Sequence, residues 1–330
     1  MIEENEEKDR NQNLKTKARQ PEIELKRKYL LSFLKEQIQF LRDCGKFGTA
    51  TNYERTCNIL TLFLKGNDLP LVSLNEEVIE DFKEFLLKRG LKRNSISFYM
   101  RILRAIYNKA ARHGLVRQNS IFNNVYTGVD VTRKRAVSED IIHRMLSLDL
   151  RTHKNLNFAR DLFLFSFFTR GMAFVDMVYL KNSDIKSDIL TYTRHKTGKN
   201  LVIKIEPCIR TLIDKYQNQR GNLPYLFPLL KTENPQKSYN QYKSALRVYN
   251  NRLKKISELM HLSNYISSYT SRHTWATIAR DHNVPISIIS AAMGHSSERT
   301  TQIYLATLDN SLIDNANSQL LAFYNQSLSC

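Results

Sequence analysis

At 330 residues, 42% of them hydrophobic and 25% charged, with few Gly and few Pro, the chain is long enough for two cores and is neither fibrous nor low in complexity. No apolar run approaches the roughly 18 residues that span a bilayer, the opening MIEENEEKDRNQNLKTK lacks the apolar centre of a signal peptide, and Cys44, Cys57, Cys208 and Cys330 are scattered without a CxxC pair, as expected of reduced thiols in a cytoplasm rather than a zinc site or disulfide framework. A formal net charge of +18 points instead to a polyanionic partner, although an anionic membrane also attracts a basic surface.

Residues 1–26 read as a flexible tail, and residues 27–124 as an all-helical domain. The span 29–42 carries Leu30, Leu31, Phe33, Leu34, Ile38 and Leu41 at helical spacing, and 51–65 repeats the pattern with Tyr53, Ile59, Leu60, Phe63 and Leu64. The span 75–89 opens on Asn75 as a capping residue, with acids in its first turn, and ends in Lys-Arg before Gly90, as the helix dipole favours. The longest and most basic helix, 95–113, is closed by Gly114. From Leu86 to Arg135 there are twelve Lys or Arg and a single acid, Asp130. A solvated helix face is the bland explanation. So one-sided a stripe nevertheless repels itself unless phosphates neutralise it, which singles out Lys88, Arg89, Lys92, Arg93, Arg101 and Arg104 as phosphate contacts, some of them within reach of bases in a major groove.

Residues 125–137 (VYTGVDVTRKRAV) break the helical period and read as a linker. The second domain, 138–330, begins with Ser138 capping EDIIHRMLSL. The almost wholly apolar 159–168 predicts a buried helix that ends at Gly171. In DILTYTRHKTGKNLVIKIE two β-rich runs flank Lys-Thr-Gly-Lys-Asn, a hairpin turn. Helices resume at Pro207 and continue to the end, so the fold class is mainly α with a small β-sheet. The amphipathic segment 311–326 is suited to packing on a neighbouring protomer, or back on its own domain.

Two blocks near the C-terminus, SSYTSRHTWATIARDH and AAMGHSSERTTQIYLATL, hold Arg272, His295 and Tyr304 in order, with the histidine nine residues before the tyrosine. Singly each is ordinary: a surface ion pair, a loop histidine, a core tyrosine. Together, as Arg272-His273-Thr274, then Met293-Gly294-His295-Ser296-Ser297, then Tyr304, they resemble the tyrosine recombinase (phage integrase) family. The likeness extends upstream. RHKTGK resembles the family's β-hairpin with its catalytic lysine, here Lys196, FFTRGMAFVDMVYLKNSDI resembles the first catalytic box, and the basic helical domain resembles the SAM-like core-binding domain.

The resemblance implies site-specific recombination of double-stranded DNA, with two domains closing on the duplex and four protomers assembling on two sites. Strands would be exchanged through a Holliday junction, in integration, excision or inversion. It implies Tyr304 as nucleophile, Arg272 as phosphate clamp, His295 as phosphate donor or phenol base, and Lys196 as general acid to the departing 5′ oxygen. These residue types suit the chemistry: a pentavalent phosphorane gathers charge that fixed cationic donors stabilise without a metal or other cofactor, and a phosphotyrosyl link stores the bond energy so that rejoining needs no ATP.

The sequence departs from the family's pattern at two places. Tyr269 stands where the family usually has a histidine three residues before the second arginine, and as a phenol it replaces that histidine as a hydrogen-bond donor to phosphate with a smaller part in proton transfer. Ala173 stands where the first arginine belongs, although the carboxylate three positions later is present as Asp176. Integrase-like proteins of the Bacteroides type share a small residue there. Arg170, three positions before Ala173, is the first choice as a replacement; Arg194 is the second, because a strand period of two puts it on the face of Lys196. The short span before the first helix implies no arm-binding domain and favours a simple invertase or resolvase-like task. The alternatives are a type IB topoisomerase and, motivated by Ala173 and Tyr269, a DNA-binding regulator without catalysis.

Overall fold

In the computed structural model, which describes residues 28–130, 136–219 and 221–305 together with Asn317, Ser318 and Leu321, the apolar spacing builds two separate cores. The chain divides into one unit up to Val131 and another from Thr132.

Four helices make the first unit: α1 (Leu30–Asp43), α2 (Phe47–Phe63), α3 (Glu76–Lys88) and α4 (Arg93–Arg112). The stripes predicted from spacing are the buried ones, with Phe33 and Leu34 of α1, Phe82 and Leu86 of α3, and Met100, Leu103 and Ile106 of α4 all in one core. Asn75 caps α3 as expected, its side chain accepting from Val78 N at 3.0 Å. The first turn of α1 is capped from a distance in sequence. Asp68 accepts from Leu31 N at 2.7 Å and Ser32 N at 2.9 Å, which satisfies helix-start donors that no local residue serves. Helix α2 starts four residues before the expected span, because Phe47–Ala50 already pair with later residues although no side chain caps them.

The segment expected to be a free linker is held over its first part. Asn94 of α4 exchanges two hydrogen bonds with the main chain of Asp130 (3.1 and 2.7 Å), Ser97 Oγ donates to Gly128 O, and Arg101 donates to the carbonyls of Thr127 and Gly128 at 3.2 Å. Residues 131–135 lie outside the described residues.

The second unit has helices α5 (Glu139–Ser147), α6 (Lys154–Phe168) and α7 (Phe174–Tyr179), an antiparallel sheet of β1 (Ile185–Lys186), β2 (Ile189–Thr193) and β3 (Asn200–Lys204), then α8 (Pro207–Lys215), α9 (Pro235–Leu259), α10 (Thr270–Asp281), α11 (Ile286–Ala292) and α12 (Glu298–Tyr304). Ser138 occupies the cap position of α5 without a side-chain cap bond. The buried helix predicted over 159–168 is α6, begun five residues earlier. Its Phe163 and Phe165 lie in a core shared with α9 through Leu253 and Ile256 and with the sheet through Leu190 and Ile203.

β2 and β3 form the predicted hairpin, with Thr193 opposite Asn200. The strands end there, and Arg194 N donates to Lys199 O at 2.8 Å to close the turn; Arg194 is buried and Lys196 exposed, so the period-of-two argument that joined them fails. The amphipathic segment 311–326 lies outside the described residues except at Asn317, Ser318 and Leu321. Among the described residues no helix is long and apolar enough to cross a membrane.

Candidate active site

The site begins where α6 stops. Thr169 caps the helix, Arg170 and Gly171 follow with φ of +61° and +70°, and the chain reverses into α7. Position 171 must be glycine for two reasons. The left-handed backbone disfavours a side chain, and a Cβ there would stand 2.8 Å from Arg272 Cα and 3.0 Å from its Cγ. That close approach lets the Gly171 carbonyl accept from Arg272 Nη1 at 2.6 Å. Below the turn Ser166 Oγ meets Ser271 Oγ at 2.7 Å and donates to Met172 O, tying α6 to α10. Arg272, only 2% exposed, also donates through Nη2 to Met293 O at 2.6 Å and meets His295 Nε2 at 3.0 Å.

His295 sits between α11 and α12. Its Nδ1 meets Thr301 Oγ1 at 2.8 Å. Burial pushes the imidazole pKa down to about 3, helped by the positive charges of Arg272, Arg194, Lys196 and Lys199. The ring is therefore neutral across the ordinary pH range, and four cations face it. Arg194, 3% exposed, donates through Nη1 to Gly294 O at 2.7 Å, and its Nε is buried with no hydrogen-bond partner among the described residues. Gly294 has φ +64°, and a Cβ there would crowd Leu201 Cδ1 at 3.0 Å and Arg194 Cδ at 3.3 Å. Lys199 donates to the His295 carbonyl, while Lys196 is exposed in the same turn. Two buried guanidinium groups, a neutral imidazole and two lysines thus converge, an arrangement suited to an oxyanion.

The remaining sequence candidates stand elsewhere. Tyr304 is the last residue of α12, and its side chain is outside the described part of the structure. Asp176, buried in the first turn of α7, accepts from His195 N at 2.9 Å and meets His195 Nδ1 at 3.1 Å. The carboxylate therefore serves the hairpin turn just before Lys196. Ala173 caps α7 two residues beyond Gly171. Arg170 points its guanidinium along the sheet, donating to Val202 O at 3.2 Å. Tyr269 caps α10, is 40% exposed and meets the His273 ring edge-on at 5.6 Å. Sequence reasoning missed Thr301, Lys199 and the fit of Gly171 against Arg272. Lys199 shares a turn with Lys196, which was a usable signal; a threonine one turn of helix before a tyrosine carries none.

The six basic residues proposed for DNA all lie exposed on or beside α3 and α4, with unequal freedom. Arg93 stacks on the Tyr126 ring at 3.8 Å and approaches Asp130 at 3.4 Å, and Arg101 holds the 127–128 carbonyls. Arg89 lies over Phe85, and Lys88 is 3.4 Å from Glu84. Lys92 and Arg104 have no such contact among the described residues. A second basic surface was passed over: α9 exposes Lys237, Lys243, Arg247, Lys254 and Lys255.

Comparison with known proteins agrees with this geometry. Residues 29–124 match the phage integrase SAM-like domain and residues 141–311 the phage integrase family. The chain is 22% identical to tyrosine recombinase XerD of Pseudomonas aeruginosa over 78% of this chain and 85% of that one. To tyrosine recombinase XerC of Syntrophus aciditrophicus it is 24% identical over 80% and 89%. In fold it is similar to a lambda integrase tetramer bound to a Holliday junction (TM-score 0.60, 17% identity, covering 84% of this chain and 77% of that one). It is also similar to the Tn1549 transposon integrase in complex with transposon right-end DNA (TM-score 0.60, 16% identity, 89% and 99%).

Gly171→Ala tests the close approach. A methyl group in left-handed backbone against Arg272 should destabilise the second unit by more than about 1 kcal/mol. Denaturant unfolding measures this, and an unchanged midpoint would mean that Arg272 does not need the carbonyl where it is.

Proposed function

The chain belongs to the phage integrase family and is a tyrosine-type site-specific recombinase, and from that membership we propose that it cuts duplex DNA through attack by Tyr304 and rejoins it without a cofactor. The observation that carries the site assignment is the convergence of Arg272, Arg194 and neutral His295, each buried, with Lys196 and Lys199 beside them. The phenolic oxygen forms a bond to phosphorus, the bond from phosphorus to the 5′ oxygen breaks, and Lys196 supplies that oxygen with a proton. A 3′-phosphotyrosyl link results, and a 5′ hydroxyl from the exchanged strand reverses the step. Arg272 and Arg194 hold the non-bridging oxygens as charge builds. Arg194 is thus the arginine that serves in place of Ala173: it is buried beside His295 with an unused Nε, whereas Arg170 lies on the sheet's carbonyl. Asp176 acts through His195, holding the turn that carries Lys196.

The partner is double-stranded DNA and the acting form a homotetramer on two sites, working in the cytoplasm; the lambda integrase similar in fold was captured as such a tetramer on a Holliday junction. The probe is a nicked duplex carrying a site that the chain selects by binding from the DNA on either side of its gene. Tyr304→Phe should bind this DNA and form no covalent adduct; an adduct from that variant would mean the nucleophile is another residue. Lys196→Ala should cleave about 10²-fold more slowly or worse, and a 5′-bridging phosphorothiolate, whose leaving group needs no proton, should restore the rate.

Removal of Arg194 as Arg194→Ala should slow adduct formation by about 10²-fold with little change in DNA affinity, and Ala173→Arg should recover part of the loss. Arg170→Ala should stay near wild type. A reversed order between the two arginines would return the role to Arg170.

In the helical domain, neutralising Lys92 and Arg104 together should reduce the slope of log K against log salt by about two. Neutralising Arg93 and Arg101 should instead loosen the 125–130 segment, seen as faster proteolysis there. Equal slopes before and after the first pair would show that those side chains do not meet phosphates.

A further inference from the structure

Two cations of the α4 stripe, Arg93 and Arg101, are both occupied by the segment 126–130. The Tyr126 ring lies against the Arg93 guanidinium, with 3.8 Å from ring centroid to Cζ, and its hydroxyl donates to Asp130 Oδ1 at 2.6 Å. The same carboxylate oxygen stands 3.4 Å from Arg93 Nη1. Arg101 Nη1 donates to the carbonyls of Thr127 and Gly128 at 3.2 Å, and the buried Ser97 hydroxyl donates to Gly128 O. Asn94 pins the end of the segment by pairing with both main-chain groups of Asp130, at 3.1 and 2.7 Å. Residue 128 has to be small for this arrangement. A Cβ there would stand 2.9 Å from the Tyr126 hydroxyl and from two carbons of its ring, so the ring keeps its place only beside a glycine.

Asp130 is the single acid between Leu86 and Arg135, against twelve Lys or Arg. It presents Arg93 with what a phosphate would present, an anionic oxygen, and the two carbonyls give Arg101 acceptor oxygens in the same way. We propose that segment 126–130 is an internal stand-in for DNA phosphate: it holds Arg93 and Arg101 in the free chain, and a duplex gains those two cations only by displacing it. This rests on the reading of the chain as a DNA-binding recombinase and goes beyond it. Lys92 and Arg104, exposed on or beside the same helix, are left to make the first contact with any duplex. Exposed contacts like those of the segment are individually weak, so a well-fitted site displaces it. Ordinary DNA competes in vast excess for so basic a chain and is held less tightly because the segment opposes it. By linkage, the factor by which the segment weakens DNA binding is the factor by which DNA loosens the segment.

The test compares affinities for a duplex of random sequence, measured by fluorescence anisotropy at fixed salt. Replacing the arginines alone would loosen the segment and remove cations together, and Asp130→Asn would raise the net charge, so neither separates the two effects. Gly128→Ala alters no charge and does separate them. Residue 128 is outside the left-handed region, so the methyl group leaves the main chain unstrained and acts by expelling the Tyr126 ring from Arg93. This variant should bind the duplex about three- to tenfold more tightly than the wild type. Tyr126→Ala, which removes the same ring, should do likewise. In an Arg93→Gln background there is no cation for the ring to release, so the gain from Gly128→Ala should vanish. Equal or weaker binding by either folded variant, or a gain that persists without Arg93, would overturn the proposal. A wild-type chain that binds no duplex would count against the proposed function itself, and this inference would fall with it.

Discussion

Everything in the catalytic unit is arranged around one buried guanidinium. Removing an ion from water costs several kcal/mol even after relaxation, and Arg272 offsets this with acceptors drawn from three separate stretches: Gly171 after α6, Met293 at the end of α11, and His295 before α12. None of these acceptors carries a formal negative charge. These three partners are two carbonyl dipoles and a neutral ring. The same bonds fix the geometry. The turn at Arg170–Gly171, the pair of serines linking α6 to α10 and the left-handed Gly294 all serve to bring these acceptors to one place.

The depressed basicity of His295 reports the field this creates. After burial, its causes are Arg272, Arg194, Lys196 and Lys199, which come from α10 and from the single turn between β2 and β3. Cations gathered this closely repel one another, and the arrangement is maintained by packing rather than by their mutual interaction. A phosphodiester relieves the repulsion, and a transition state with more negative charge relieves it further. In the proposed mechanism this is differential stabilisation of the kind that accelerates a reaction instead of merely tightening binding.

Much of this was legible in the sequence, and the exceptions have physical reasons. Helical spacing located α1, α3 and α4 to within a residue or two, because their buried stripes are regular. It placed the start of α2 and α6 late, because their opening residues, Phe47–Ala50 and Lys154–Phe158, mix apolar residues with glycine or polar ones and do not hold the apolar period. The order and spacing of Arg272, His295 and Tyr304 pointed to the family without the fold, and residues 141–311 match that family. What spacing could not supply was the end of β2. The strand period set Arg194 and Lys196 on one face; the turn instead buries the first and exposes the second, so the ground the sequence offered for Arg194 was the wrong one. Charge counting likewise marked α4 as a phosphate-binding stripe. It could not tell that Arg93 and Arg101 already hold the segment at 125–130, since those partners are carbonyls and an aromatic ring, which carry no charge to count.

The hairpin turn holds two cations in opposite surroundings, which suits the two roles proposed for them. Its start is fixed by Asp176 on the His195 main chain and ring, with Tyr179 stacked on that ring at 4.8 Å, and its far side by Lys199 on the His295 carbonyl. Arg194 enters the interior before the turn begins. Between these anchors Lys196 projects outward into solvent. A stabilising charge works best when it is immobile and dry, whereas a proton donor has to reach the leaving oxygen, give up its proton and be recharged from water. In the proposed mechanism, two cations placed two residues apart, with the boundary between interior and solvent running between them, satisfy both needs within the same turn. The Asp176 carboxylate accepts from His195 N at 2.9 Å, between Arg194 and Lys196, and so anchors the point at which the buried cation gives way to the exposed one.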